Sequence, residues 1–213
     1  MMEPIEVLYG DKFFRHRPPL RHRAQVICEA VAAVLSFDSV VDVGCGLGEV
    51  VQAMLTLGKD SWGIEGSVEC LSHVRVDPER VCIHDLREPL DEDWDMRFDL
   101  ATCWAVMEHV NPEYSRIMVT NLCALSDRVL GCVPLLGSPG AGTGFHEENI
   151  QTREHWDGLF LAHGYVNNLG VINEVRKGFP PLHTRWCVPP QRSRVQLHLQ
   201  CVYNDMFCYE KVG

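Results

Sequence analysis

The chain has 213 residues, 46% hydrophobic and 23% charged, a composition that excludes disorder and supports one domain with its own core. Its 19 Lys and Arg against 29 Asp and Glu leave a net charge of −10. That balance excludes a sequence-blind electrostatic binder of nucleic acid or anionic membrane, though not a local basic patch.

Helical spacing of Val26, Ile27, Ala30, Val31 and Val34 predicts a helix within residues 19–37. Ser39–Val43 is a β-branched run closed by glycines, which reads as a buried strand. Leu47–Leu57 follows as a helix stopped by Gly58. Further strands are expected at Trp62–Glu65, Val81–His84, Phe98–Trp104 and Val129–Val133, with helical patterns between them, notably Pro112–Leu125. Strands alternating with helices imply right-handed crossovers and a parallel sheet. Pro134–Asn149 then breaks the rhythm as a Gly/Pro-rich loop, of a length that often carries function. Thr152–His163 returns as a helix, with Thr152 as N-cap and Gly164 at its left-handed close. Gly170–Pro190 reads as irregular, and Val195–Glu210 as one or two antiparallel strands at the sheet edge.

Ten cysteines contain no C-x-x-C pair, which argues against a zinc ribbon or a thioredoxin-like centre. Most stand in apolar runs and read as reduced core residues. Met1-Met2-Glu3-Pro4 has neither the basic nor the apolar part of a signal peptide. The longest stretch without Asp, Glu, Lys or Arg, Val129–His146, is broken by glycines and prolines, so no membrane span is expected. The expectation is a soluble, cytoplasmic protein.

The sharpest signal is Asp42-Val43-Gly44-Cys45-Gly46-Leu47-Gly48, between the first strand and its helix. Glycines there let the backbone turn tightly and approach a ligand at the switch point of the sheet. A dinucleotide fingerprint would require a third glycine in the sixth position, where this chain has Glu49, an anion set against a pyrophosphate. The segment resembles the D-x-G-C-G-x-G signature of class I S-adenosylmethionine-dependent methyltransferases. That resemblance implies a Rossmann-like, doubly wound, seven-stranded α/β sheet, mostly parallel with an antiparallel last strand. It implies a methyltransferase domain over residues 39–213, an N-terminal helical cover over 1–38 and an irregular insertion near 168–195. It also implies S-adenosylmethionine as cofactor, held by Asp42, Gly44, Cys45, Gly46 and Gly48, with Glu65 and Gly66 at the ribose. Asp85 and Leu86 correspond to the adenine contacts, and Phe98-Asp99-Leu100 with Trp104, Glu108 and His109 to the fourth-strand motif.

Methyl transfer to a hydroxyl or amine needs alignment and a place for the proton. His109, after the fourth strand, and His146, in the long loop, are the candidate bases, because an imidazole titrates near neutrality. His155, within a helix, reads as structural. The run from His146 to Trp156 is similar to an H-x-N-x-Q-x-R-x-x-W pattern of methyltransferases that modify small molecules or sugars, with one residue more between His146 and Asn149. Small-RNA 3′-end methyltransferases hold a metal through E-x-x-E-H and a later histidine. Here Ala105 stands at the first glutamate, and no metal is assigned. Basic residues gather at Lys12, Arg15, Arg17, Arg21 and Arg23 and again at Arg176, Lys177, Arg185, Arg192 and Arg194. They read either as solvated faces or as a rim for a carboxylate, phosphate or nucleotide-linked acceptor. The expected acceptor is a small or medium-sized molecule. An RNA or protein acceptor, and a silent methyltransferase-like binding subunit, are the alternatives.

Overall fold

The structure is a computed structural model that describes residues 4–17, 21–91, 94–138, 141–142, 146–179 and 202–213. Seven strands form one sheet in the order β3-β2-β1-β4-β5-β7-β6. They are β1 Ser39–Val43, β2 Asp60–Glu65, β3 Val81–Ile83, β4 Leu100–Trp104, β5 Arg128–Cys132, β6 Tyr165–Asn167 and β7 Met206–Lys211. β1 to β5 are parallel, whereas β7 runs antiparallel to both β5 and β6. β1 and β4 are buried on both faces, which is why they read as apolar runs and not as alternating ones.

Helices cover both faces. On one side α3 (Arg21–Val34), α4 (Glu49–Thr56) and α7 (Leu169–Lys177) enclose Ile27, Val31, Val40, Leu100, Leu130 and Cys208. On the other, α5 (Ser115–Leu125) and α6 (Arg153–Leu161) enclose Val41, Ala101, Val129, Trp156 and Phe160. There Phe160 stacks on Tyr209 at 3.8 Å, and the Tyr165 hydroxyl donates to the carbonyls of Cys123 and Ser126, closing the end of α5. Two short helices, α1 (Ile5–Leu8) and α2 (Asp11–Arg15), cross the carboxyl ends of the central strands, and Phe14 is buried with Cys45, Leu47 and Cys70. Asp99 accepts from the backbone of Asp38 and Ser39 and so ties the starts of β1 and β4 together; those N–H groups lower its pKa. The eight described cysteines are free, seven of them buried; Cys187 and Cys201 lie outside the described residues.

Two sequence expectations need correction. Part of the stretch expected to be irregular is α7: the Asn168 side chain caps it by accepting from Val171, and Ile172 and Val175 pack inward one turn apart. Gly170 within it, Gly178 at its end and the prolines beyond hide a pattern only nine residues long. The last strand is also not at the edge, because β6, three residues long, pairs outside it. Residues 180–201, including most of the stretch expected to be irregular, lie outside the described residues.

Gly131 sits where β5 meets β4, and a Cβ there would overlap the Cys103 carbonyl. Gly158 lies inside α6 with nothing within 4 Å of a built Cβ. Gly131→Ala is therefore expected to destabilise the fold by about 3 kcal/mol or more. Gly158→Ala should stabilise it by roughly 0.5–1 kcal/mol. Urea denaturation of the two variants checks both signs.

Candidate active site

The winding of the chain reverses between β1 and β4, which opens a crevice beyond their carboxyl ends. The glycine loop forms one wall. Gly44 and Gly46 have φ of +73° and +56°, a left-handed backbone that side chains rarely adopt, and a Cβ on Gly44 would strike Val106. Gly48 begins α4 as its N-cap. The loop is held on β2: Gly44 and Cys45 N–H groups donate to the Ile64 carbonyl, and Gly46 N–H to Glu65 Oε2 at 2.9 Å. Glu65 Oε1 accepts from Gly66 and Ser67. Burial raises the Glu65 pKa while these three N–H groups oppose the shift.

Asp42 is buried beneath the loop with the Thr102 hydroxyl donating to it at 2.8 Å. Burial pushes its pKa up to about 7, against the pull of Thr102 and the Arg17 and Arg23 guanidiniums. Arg17 lies over the loop, its Nη1 3.3 Å from where a Gly46 Cβ would stand. Arg23 is desolvated enough to lower its pKa, and its buried Nη1 has no hydrogen-bond partner among the described residues. Neither arginine's place was visible in the sequence, where both look like part of a basic run. The signal was Arg23 falling on the inward face of α3, beside Ala24 and Ile27.

Several expected contacts have a different local setting. The Cys45 side chain packs against Gly63 and Val51. Asp85 is gripped by the Arg87 guanidinium through both oxygens, at 2.6–3.0 Å. Leu86 is buried in the α5–α6 core and Trp104 in the opposite one. Gly66 lies under Ile5 of α1 and beside Asp85. Glu49 is not a bare anion at the helix start: Arg75 binds it at 2.5 Å, which weakens the electrostatic argument drawn from it.

The second wall follows β4. Ala105 leaves the strand at φ +56°, and the Met107–His109 turn carries Glu108, 1% exposed. Burial pushes Glu108 up to about 8, with Glu147 and Asp205 adding to the rise. His109 and His146 meet here: His109 Nδ1 lies 3.2 Å from the His146 carbonyl oxygen, and His146 is held at φ +50°. The Tyr9 ring stands edge-on to His109 at 6.3 Å, so the N-terminal segment spans both walls. Burial and the Glu108 and Glu65 carboxylates raise the Tyr9 pKa. Asn149, which the sequence marked only as part of a partial motif, pins the long loop. It is fully buried, its N–H donates to the Glu108 carbonyl, and its side-chain amide donates to Ser115 Oγ and the Met107 carbonyl. His155 stands in α6 with its ring edge-on to Trp156. No group of three or more His, Cys, Asp or Glu suited to a metal ion occurs among the described residues.

A profile of the family described as methyltransferase domain matches residues 20–168. The chain belongs to that methyltransferase family. Ubiquinone biosynthesis O-methyltransferase of Paraburkholderia phymatum is 37% identical over 97 residues, covering 40% of this chain and 39% of that protein. The match thus spans less than half the length of that relative. Magnesium protoporphyrin IX methyltransferase of Synechocystis PCC 6803, with bound SAH, shares the fold at a TM-score of 0.58 and 12% identity, over 90% of this chain and 83% of that one. The putative methyltransferase in complex with the Trm112 activator from Haloferax volcanii gives 0.62 and 14%, over 99% and 98%. The Synechocystis enzyme is also solved with bound SAM, and S-adenosylmethionine is the cofactor expected of this methyltransferase from its glycine loop. Its crevice fits that cofactor: the Asp42 and Glu65 carboxylates suit a cationic, hydroxyl-rich ligand, and Arg23 Nη1, without a partner among the described residues, suits a carboxylate.

Asp42 and Glu108 titrate near 7 and 8, against ordinary values of 3.8 and 4.5. From about pH 4 to 8 the folded ligand-free enzyme therefore holds protons that the unfolded chain has lost. These two groups make its stability fall as pH rises through that window and level off above it. Glu108→Gln should flatten the slope, and urea midpoints measured between about pH 5 and 8 test this.

Proposed function

We propose that this methyltransferase methylates an oxygen or nitrogen of a small or medium-sized acceptor bound between His109 and the loop of residues 134–151. The observation that carries the reading is the pairing of walls: a glycine loop ringed by Asp42, Glu65, Arg17 and Arg23 meets Val106 at Gly44, three residues before His109, and His109 in turn meets His146. Glu65 and Gly66 hold the ribose, the backbone of Gly44, Cys45, Gly46 and Gly48 lines the amino-acid end, and Arg23 takes its carboxylate. Asp85 and Leu86 flank the adenine, and Trp104 and Asp42 support the crevice floor. When bound, S-adenosylmethionine supplies a methyl carbon made electrophilic by its sulfonium. His146 removes the acceptor proton, with His109 held beside it as the second candidate base. Residues 1–38 act as a cover, with Tyr9 and Ile5 excluding water from the crevice.

The basic residues support a small acceptor over a polymer. Arg17 lies over the loop and Arg23 is half-buried, so these two turn away from the surface, while Lys12, Arg15 and Arg21 remain exposed and Arg15 pairs with Asp11. Arg176 donates to the Tyr203 and Asn204 carbonyls and Lys177 pairs with Glu174. Arg185, Arg192 and Arg194 lie outside the described residues.

Transfer of a labelled methyl group to small metabolites, RNA and protein, offered side by side, tests the acceptor class; labelling confined to a polymer would overturn it. Glu65→Ala should weaken S-adenosylhomocysteine binding by about tenfold or more in calorimetry, the loss of charge-assisted hydrogen bonds. His146→Ala should lower turnover by roughly a hundredfold while leaving that affinity unchanged. Unaltered turnover removes His146 from the mechanism.

A further inference from the structure

The N-terminal segment lies inside the crevice as well as over it. Ile5 of α1 rests on Gly66: its Cδ1 is 2.5 Å from where a Gly66 Cβ would stand, and the Asp85 Cα is 3.9 Å from the same point. Ile5 thus wedges between the ends of β2 and β3, against the residues read as the ribose and adenine contacts. A ring needs roughly 3.5–4.0 Å to the atoms on each side of it. With Ile5 packed directly on Gly66, no purine fits between the two. At the other end of the segment the Arg17 guanidinium lies over the glycine loop, with Nη1, Cζ and Nη2 at 3.3, 3.5 and 3.9 Å from the place of a Gly46 Cβ. Its charge lowers the pKa of both Asp42 and Glu65, the carboxylates that suit a cationic cofactor. Between these ends the Tyr9 ring stands edge-on to Phe13 at 5.0 Å and to His109 at 6.3 Å.

The segment is fastened unevenly. α2 is anchored: Phe14 is buried with Cys45, Leu47 and Cys70, and the Asp11 carboxylate meets His73 Nε2 at 2.7 Å. α1 has no buried residue and no side-chain cap, and its four residues are too few to hold a helix by themselves. Gly10 separates the two helices. α1 is therefore free to swing away while Phe14 stays seated. We propose that residues 4–9 are an internal competitor of the cofactor: Ile5 takes the adenosine place, and α1 must swing out before S-adenosylmethionine enters. The inference rests on the reading of Gly66 and Asp85 as the adenosine end of the crevice, and it gives the N-terminal cover a second, inward seat. The apparent affinity for the cofactor is then its intrinsic affinity reduced by the fraction of chains with α1 outside.

Two measurements on the full chain test this. In stopped-flow mixing with S-adenosylhomocysteine, Ile5→Asp should associate about fivefold or more faster than wild type, because a charged side chain does not stay in an apolar slot. Ile5→Ala, which shortens the wedge without charging it, should fall between them. In the wild-type chain, the nuclear Overhauser contact between the Ile5 δ1 methyl and the Gly66 α protons should vanish as S-adenosylhomocysteine reaches saturation. This second measurement needs no variant and stands whether or not Ile5→Asp folds. Association of Ile5→Asp no faster than wild type, or an Ile5–Gly66 contact that persists at saturation, would overturn the competitor while leaving the cofactor reading intact. Failure of the wild type and both variants to bind S-adenosylhomocysteine at all would overturn the cofactor reading and the competitor with it, so the two failures are distinguishable.

Discussion

Carboxylates taken out of water at the carboxyl ends of parallel strands are the constraint around which this enzyme is arranged. Asp42 ends up beneath the glycine loop, Glu65 at the end of β2 and Glu108 just past β4, and in each case burial is the leading cause of a raised pKa. A desolvated carboxylate must find donors or a cation, or hold its proton. The fold answers the three differently. Glu65 receives three backbone N–H groups, Asp42 receives one hydroxyl with two guanidiniums nearby, and one oxygen of Glu108 has no donor among the described residues. This graded satisfaction separates groups that shape the loop from groups left open to a ligand.

The same donors that satisfy Glu65 build the loop. Its carboxylate links Gly46 on one side to Gly66 and Ser67 on the other, so the β1 turn and the β2 turn are fastened through one side chain. The acceptor wall is fastened in a parallel way by Asn149, which ties the long loop to the Met107–His109 turn and to α5. Each wall thus hangs on one buried polar side chain. The N-terminal segment bridges them, with Phe14 packed behind the glycine loop and Tyr9 reaching His109. Asp11 meeting His73 at 2.7 Å holds α2 down on the β2 side.

Legibility in the sequence follows from how local each interaction is. Strands buried on both faces announce themselves as apolar runs, and the glycine loop is compact enough to be read as one motif. Thr152 and Gly164 mark α6 because caps are set by a residue's own backbone. β6 and α7 escaped because three residues, or nine with a glycine among them, leave too little periodicity. At the site, Glu65 and Asp42 stood out by position in the motif, yet Arg87's hold on Asp85 and Arg75's hold on Glu49 did not. Those pairings depend on side-chain direction across a turn or between segments, and no spacing rule carries that information. The basic runs misled for the same reason: composition counts Arg17 and Arg23 as surface charge, whereas packing turns them inward.

The two halves of the crevice consequently differ in how they are encoded. The cofactor half comes from two adjacent strand ends and one helix start, so residues 42–49 and 65–67 contain most of it. The wall proposed for the acceptor draws Glu108 and His109 from the turn after β4, His146 and Asn149 from the long loop and Tyr9 from the N-terminal segment. Acceptor choice is therefore a property of the assembled edge of the sheet, and a shared glycine loop places a chain in the family without carrying its substrate with it.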